Sequence, residues 1–121
     1  MIPHAHYLAR DCRVWAKDPE NKEIPLVWVK DWDFDWQEQY RYKQTVRLPK
    51  RPELKMIWTF DNSASNPRQH SNPPRRVMFG ENSTDEMAVA VLHVATGNPV
   101  DRVKLCTALL AKPTPTMRAG K

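Results

Sequence analysis

The distribution of proline constrains the fold of this chain more than any other sequence feature. Eleven prolines and only three glycines occur among its 121 residues. Proline fixes φ and lacks a backbone N–H donor, so it interrupts both helices and the interior of sheets. The composition therefore favours short strands joined by rigid, irregular loops over a helical bundle. The longest loop is predicted at residues 61–76, where Asn-Pro and Pro-Pro steps occur.

Alternating hydrophobicity predicts an all-β domain over residues 1–95. The predicted strands are residues 2–16, 24–29, 32–36, 40–48, 54–60, 77–79 and 86–94. The last of these is apolar and β-branched, which makes it the best candidate for a buried strand. In residues 32–36, three aromatic residues alternate with two carboxylates, as expected for a strand with one solvent-exposed face.

The tail, residues 96–121, changes to helical character. Asn98 is a favourable N-cap, Pro99 suits the first helical position, and Asp101 complements the dipole of the first turn. Apolar residues then follow at helical spacing. We therefore expect one short helix here, whose apolar side covers part of the β-domain and which ends at the prolines that follow.

Two histidines near the start of the chain have the spacing of paired metal ligands. His4 and His6 are two residues apart, and side chains at i and i+2 point the same way on a β-strand. Met87 supplies a thioether, which is a soft donor. A soft donor combined with two imidazoles favours copper, especially Cu(I), over zinc or magnesium. The alternative interpretation is a half-buried strand and a core methionine.

Charge and cysteine content narrow the classes of function. The net charge is +5, but the basic residues fit a solvated strand face and loops, and no nucleic-acid motif accompanies them. We therefore expect no nucleic-acid partner, and no apolar stretch is long enough for a membrane span. Cys12 and Cys106 form no C-x-x-C pair, which excludes zinc ribbons and thioredoxin-like motifs. One disulfide and two buried free thiols both remain open.

With the two ligand segments placed, the chain resembles the C-terminal catalytic domain of the copper type II, ascorbate-dependent monooxygenases. This family includes the peptidylglycine α-hydroxylating and dopamine β-monooxygenases and their bacterial relatives. The resemblance covers about residues 2–95 in family order, through residues 4–10, 32–38, Tyr42, 48–54, 61–62 and 83–87. The His-x-His pair and the run Ser-Thr-Asp-Glu-Met are its most specific parts.

The resemblance implies an antiparallel jelly-roll β-sandwich in which His4, His6 and Met87 hold a single copper. It implies hydroxylation of a substrate C–H with dioxygen, with ascorbate as the usual reductant. It also implies a second, electron-storing copper in a separate upstream domain and an extracytoplasmic location, periplasmic or secreted. The family has strands before its His-x-His pair, so the chain is expected to be a fragment, incomplete at its N-terminus and inactive alone.

Several positions depart from the family pattern. Ala88 stands where the family commonly has a cysteine. Ile2, Val89 and Val91 occupy neighbourhoods that hold the substrate carboxylate in the peptide-hydroxylating member. A peptide-glycine substrate is therefore not expected, and the identity of the substrate, a small molecule or another compound, stays open.

Further polar residues could contribute to such a site, and other classes of protein share parts of this pattern. His93 falls on the same predicted strand face as Met87 and is a possible extra group near copper, whereas His70 is expected in solvent. Asp85 and Glu86 are expected to orient loops or an imidazole N–H. The alternatives are a copper carrier, a non-enzymatic β-sandwich that binds protein or polysaccharide through its tryptophans, and a cupin-like sandwich. The glycine-flanked motif of the cupins is missing.

Overall fold

The computed structural model describes residues 1–111, without the side chain of Leu109. Within this range the regular elements are β1 (Ile2–Ala5), β2 (Ala9–Lys17), β3 (Glu23–Val29), β4 (Glu53–Phe60), β5 (Ala88–Val91) and α1 (Pro99–Ala111). They form two antiparallel sheets and one helix, which confirms the mostly β character expected from the sequence.

The larger sheet has three strands in the order β3-β2-β4. The turn from β2 to β3 is held by Asp18, whose carboxylate accepts hydrogen bonds from the backbone N–H groups of Glu20 and Lys22 at 3.0 and 2.8 Å. Asn21 completes this turn with φ of 65°, a conformation that asparagine tolerates better than most residues. The central strand β2 is the most buried of the three because both of its neighbours cover its edges.

The smaller sheet is an antiparallel ribbon of β1 and β5, in which Ile2 lies opposite Val91 and Ala5 opposite Ala88. Pro3 is tolerated because β1 lies at an edge. The side chains of Pro3 and Ala5 are buried, whereas His4 between them is only half-buried. The ribbon therefore has a core-facing side and a more open side that carries His4.

The two sheets pack against each other through two apolar clusters. In one, Met1 lies with Cys12 and Val14 of β2. In the other, Ala5 of the ribbon lies with Ala9 and Trp32, and the rings of Trp32 and Trp58 meet edge to face with centroids 4.9 Å apart. Burial of these side chains supplies most of the driving force that holds the ribbon on the three-stranded sheet.

Three elements agree with the sequence-based predictions. The strands expected at residues 24–29 and 54–60 are β3 and β4, and the helix is α1. The helix begins as predicted, because the backbone N–H of Asp101 donates to Oδ1 of Asn98 at 2.8 Å and Nδ2 of Asn98 donates to Asp101 at 2.7 Å. Residues 61–76 form no regular structure, as expected for the long loop.

The strand predicted at residues 2–16 is interrupted. It breaks at residues 6–8, where the backbone N–H of Ala9 donates to the carbonyl of His6 at 3.1 Å and reverses the chain into β2. Strict alternation over fifteen positions therefore does not describe one strand, because the two halves join different sheets.

The strands predicted at residues 32–36 and 40–48 are wrong. Residues 32–36 form a turn in which the N–H of Trp36 donates to the carbonyl of Asp33 at 3.1 Å, and residues 40–48 have no regular structure. Trp32 is 7% exposed and Trp36 is 69% exposed, so the alternating aromatic residues do not share a face. Tertiary burial of Trp32 overrides the local period of two.

The two strands predicted after the long loop are shorter than expected. At residues 77–79 only Phe79 forms an isolated bridge, with Glu86, and the strand expected at residues 86–94 is reduced to β5. Val89 and Val91 are partly exposed, so β5 is not the buried strand that its composition indicates. An apolar β-branched run is equally compatible with a ribbon that leaves one face open.

The helix and the cysteines also differ from expectation. Val103, Cys106 and Leu110 are exposed, so α1 does not cover the β-domain through these residues. Cys12 is buried, Cys106 is exposed, and both thiols are free. The two cysteines therefore form neither the disulfide nor the pair of buried thiols considered from the sequence. The prolines expected to end the helix, Pro113 and Pro115, lie outside the described residues. None of the helical structure within residues 1–111 has the length and apolar character to cross a bilayer.

Candidate metal centre

The pairing of the ribbon brings the backbones of the three predicted metal ligands close together. His4 lies opposite Val89 in the ladder, and one step further the backbone N–H of His6 donates to the carbonyl of Met87 at 3.2 Å. Residues that face each other across an antiparallel pair project to the same side of the sheet. The pairing therefore places His4, His6 and Met87 on one side of the ribbon.

His6 stands at the corner where the chain leaves the ribbon. Its carbonyl accepts from Ala9, and the next residue, Tyr7, donates its backbone N–H to the carbonyl of Ser83 at 3.3 Å. These bonds tie both sides of the corner, one to β2 and one to the loop before Met87. His6 is 5% exposed, so its imidazole is largely shielded from solvent.

Hydrogen bonds at Nδ1 fix the tautomers of both imidazoles. Nδ1 of His6 lies 3.1 Å from the backbone carbonyl of Asp85, which can only accept. Nδ1 of His4 lies 2.7 Å from Oε1 of Gln37, and Nε2 of Gln37 donates to the carbonyl of Phe34 at 2.8 Å. Both Nδ1 atoms are therefore the donors, and in the neutral rings each Nε2 keeps its lone pair. Metal-ligating histidines usually have this arrangement.

The separation of the two rings suits a shared ion. The ring centroids of His4 and His6 are 5.3 Å apart and the ring planes are nearly perpendicular, at 87°. Imidazoles that bind one metal at about 2 Å through Nε2 have centroids roughly 5–6 Å apart. The observed separation lies within that range.

The donor set contains two imidazoles and one thioether. Within residues 1–111 there is no group of three or more His, Cys, Asp and Glu side chains placed to hold a metal ion. The site therefore lacks the carboxylates and thiolates typical of zinc, magnesium or calcium centres. Its chemistry fits a soft, reducible ion better than a hard one.

Apolar side chains flank the imidazoles on the open side of the ribbon. Val89 lies opposite His4 and Val91 opposite Ile2, and these valines are 38% and 49% exposed. This face therefore carries the positions that depart from the peptide-hydroxylating pattern, which are Ile2, Val89 and Val91. This surface can pack against an apolar molecule but offers no charged group to hold a carboxylate.

A charged cluster holds the turn that carries Gln37. Arg68 donates to Asp33 at 2.5 Å and to Asp35 at 3.0 Å, and the rings of Tyr7 and Phe34 lie 4.3 Å apart. Sequence reasoning missed this role of Gln37 and Arg68. The only signal was that Gln37 lies in residues 32–38, one of the segments on which the proposed resemblance rests, since neither contact is local in sequence.

The turn also borders a small polar hollow. Tyr7, Asp35, Arg68 and His70 line a space of about 380 Å³. His70 is exposed there, in agreement with the solvated position expected from the sequence.

His93 lies away from the imidazole pair. It follows the end of β5 at Val91, is exposed, and lines a different and larger groove that contains neither His4, His6 nor Met87. The idea that His93 approaches the metal rested on a strand continuing to residue 94, which the structure does not have.

Cys12 does not add a thiolate to the centre. Burial in the core, and next the neighbouring Asp11 carboxylate, raises the pKa of this thiol to about 12. The thiol is therefore protonated at neutral pH and makes a poor metal ligand.

Comparisons with known proteins give no independent support for a family. The chain matches no protein-family model, and no similar protein was found among curated sequences or solved structures.

Proposed function

We propose that this chain is the mononuclear copper domain of a copper-dependent monooxygenase, with His4, His6 and Met87 as the metal ligands. The observation that carries the proposal is the pair of Nδ1 hydrogen bonds, to Gln37 and to the carbonyl of Asp85. These bonds leave both Nε2 lone pairs free on the side of the ribbon that Met87 shares.

Copper, when bound, supplies one-electron redox chemistry toward dioxygen, with an ascorbate-type compound as the reductant. The protein contributes the orientation of the metal ligands and the surface beside them. Gln37 and the Asp85 carbonyl orient the imidazoles through Nδ1, and the thioether of Met87 favours the reduced ion. Val89 and Val91 offer a surface for the apolar part of a substrate on the face that carries His4.

We also propose that the two packed sheets belong to a jelly-roll sandwich, that the domain functions outside the cytoplasm, and that the second electron comes from a separate copper domain. The antiparallel pairing of both sheets is compatible with such a sandwich. The electron-storing domain follows from the family resemblance and from a donor set that suits one ion.

X-ray absorption of the copper-loaded, reduced protein tests the ligand set. We expect a spectrum with a sulfur scatterer that is lost in Met87→Leu and retained in Met78→Leu, because Met78 is 62% exposed and belongs to no ligand segment. If the sulfur persists in Met87→Leu, or if copper does not bind, the proposed centre is wrong. Ascorbate-dependent oxygen uptake that yields a hydroxylated product then distinguishes a catalytic site from a copper carrier.

A further inference from the structure

A groove of about 1120 Å³ lies in the described part of the chain, and none of His4, His6 and Met87 lines it. Its lining consists of Met1, Leu26 of β3 and residues 39–42, 45–48 and 92–97. One wall is fixed to the ribbon, because the nitrogen of Met1 donates to the carbonyl of Tyr40 at 2.7 Å and the N–H of Tyr40 donates back at 2.9 Å. The volume exceeds that of typical small-molecule sites.

The interior of the groove is mainly apolar. Its apolar lining includes Met1, Leu26, Val46, Leu48 and Leu92. Met1 and Leu92 also belong to, or pack against, the cluster around Cys12, so the floor of the groove is continuous with the core. An apolar floor of this kind favours a hydrocarbon chain over a polar solute.

The charged groups of the groove all have one sign. Arg41 and Arg47 line it, and no Asp or Glu is among its lining residues. Neither arginine forms a salt bridge with a carboxylate within residues 1–111, and the one contact of Arg41 is a long bond of 3.5 Å to Gln39. Two guanidinium groups are thus free to receive an anion, and arginine matches the geometry of a carboxylate.

We infer that this groove binds a long-chain carboxylate, with the hydrocarbon chain against Leu26, Leu48 and Leu92 and the carboxylate at Arg41 and Arg47. The inference rests on the apolar floor together with the uncompensated positive charge, and it does not depend on copper. The side chains of residues 112–121 do not complement the groove in charge, since they include Lys112, Arg118 and Lys121 and no Asp or Glu.

Titration calorimetry of the metal-free, full-length chain with dodecanoate below its micelle concentration tests the inference. We expect one binding site, and dodecyltrimethylammonium, which has the same chain and the opposite charge, should bind at least about tenfold more weakly. The double variant Arg41→Gln/Arg47→Gln should weaken dodecanoate binding by about tenfold or more. Its control, Lys43→Gln/Lys50→Gln, removes the same charge from exposed residues outside the lining and should stay within about twofold.

A second variant tests the apolar part. Val46→Trp places an indole in the groove and should abolish dodecanoate binding while thermal melting shows a folded protein. The inference is overturned if both detergents bind equally, or if the two double variants behave alike. It is also overturned if the chain dimerises through the groove, as shown by Val46→Trp restoring a monomer in ultracentrifugation, or if dodecanoate binds only a chain that ends at Ala111.

Discussion

The side chain of Gln37 lies 2.7 Å from Nδ1 of His4, 33 residues away in sequence. The amide of Gln37 is itself oriented by its bond to the carbonyl of Phe34. A turn at residues 33–37 therefore determines which nitrogen of an imidazole on β1 is free to bind a metal. This makes Gln37 a positioning residue for the proposed centre.

Gln37→Leu removes the acceptor and should lower copper affinity by about 10–100-fold, because His4 loses both its tautomer preference and its orientation. Competition with a chromophoric Cu(I) chelator measures the affinity. Gln44→Leu, at an exposed glutamine, is the matched control and should leave it unchanged. Equal affinities of the two variants, with both proteins folded, would show that Gln37 does not position His4.

Gly80→Ala should destabilise the protein by about 1–3 kcal/mol. A Cβ at Gly80 would collide with the carboxylate of Asp85, which accepts hydrogen bonds from the backbone and side chain of Asn82 at 3.0 and 2.9 Å. Gly97→Ala is the control, since a Cβ there meets nothing within 4 Å. Urea unfolding compares the two variants, and a stability loss at Gly97 as large as that at Gly80 would contradict the steric explanation.

The buried thiol of Cys12 should make stability depend on alkaline pH. Its pKa is raised by burial to about 12 in the folded protein, whereas in the unfolded chain it returns to about 9. Between these values the unfolded state releases the proton and the folded state keeps it. The contribution to stability is therefore complete below about pH 9 and is lost as pH rises toward 12, by at most about 1.4 kcal/mol per pH unit.

Urea unfolding of wild type and Cys12→Ala between about pH 8 and pH 11 measures this slope. The difference between the two proteins should shrink as pH rises. Cys106→Ala serves as the control, because the exposed Cys106 should leave the slope of the wild type intact. A constant difference between wild type and Cys12→Ala would contradict the assigned pKa.

Asn98→Ala should weaken α1 locally, by about 1 kcal/mol, without lowering the melting temperature of the β-domain. The helix loses the bond from the N–H of Asp101, and its exposed apolar residues make α1 a marginal contributor to the core. Circular dichroism at 222 nm measures the helical signal, and Asn98→Ser should restore it because serine also caps helices. A large drop in global melting temperature would indicate that the helix packs on the domain.

Sequence signals that act over a few residues were sufficient to predict β3, β4 and the start of α1. The Asn98-Pro99 pair defines a helix start by capping and by the φ of proline, and neither requires knowledge of the rest of the fold. The expectation that His4 and His6 share a face likewise follows from strand periodicity alone, although β1 ends at Ala5 and His6 lies just beyond it.

Features that depend on distant contacts could not be predicted in this way. The alternation in residues 32–36 indicates a strand, but Trp32 is drawn into the core beside Trp58 and the two aspartates bind Arg68. The supporting bond from Gln37 to His4 exists because that segment turns instead of extending. The partners of this segment are determined by how the parts of the fold pack together, which a local sequence pattern does not encode.

The single register between β1 and β5 has a consequence for how this chain can vary. Side chains alternate along a strand, so a slip of one residue would turn both imidazoles toward the core and bring Pro3 and Ala5 to the open side. Only four residue pairs and the bond from His6 to Met87 oppose such a slip. We therefore expect a single-residue insertion or deletion just before β5 to disrupt this pairing, and the loop of residues 61–76 to accept changes of length only where Arg68 still reaches Asp33 and Asp35.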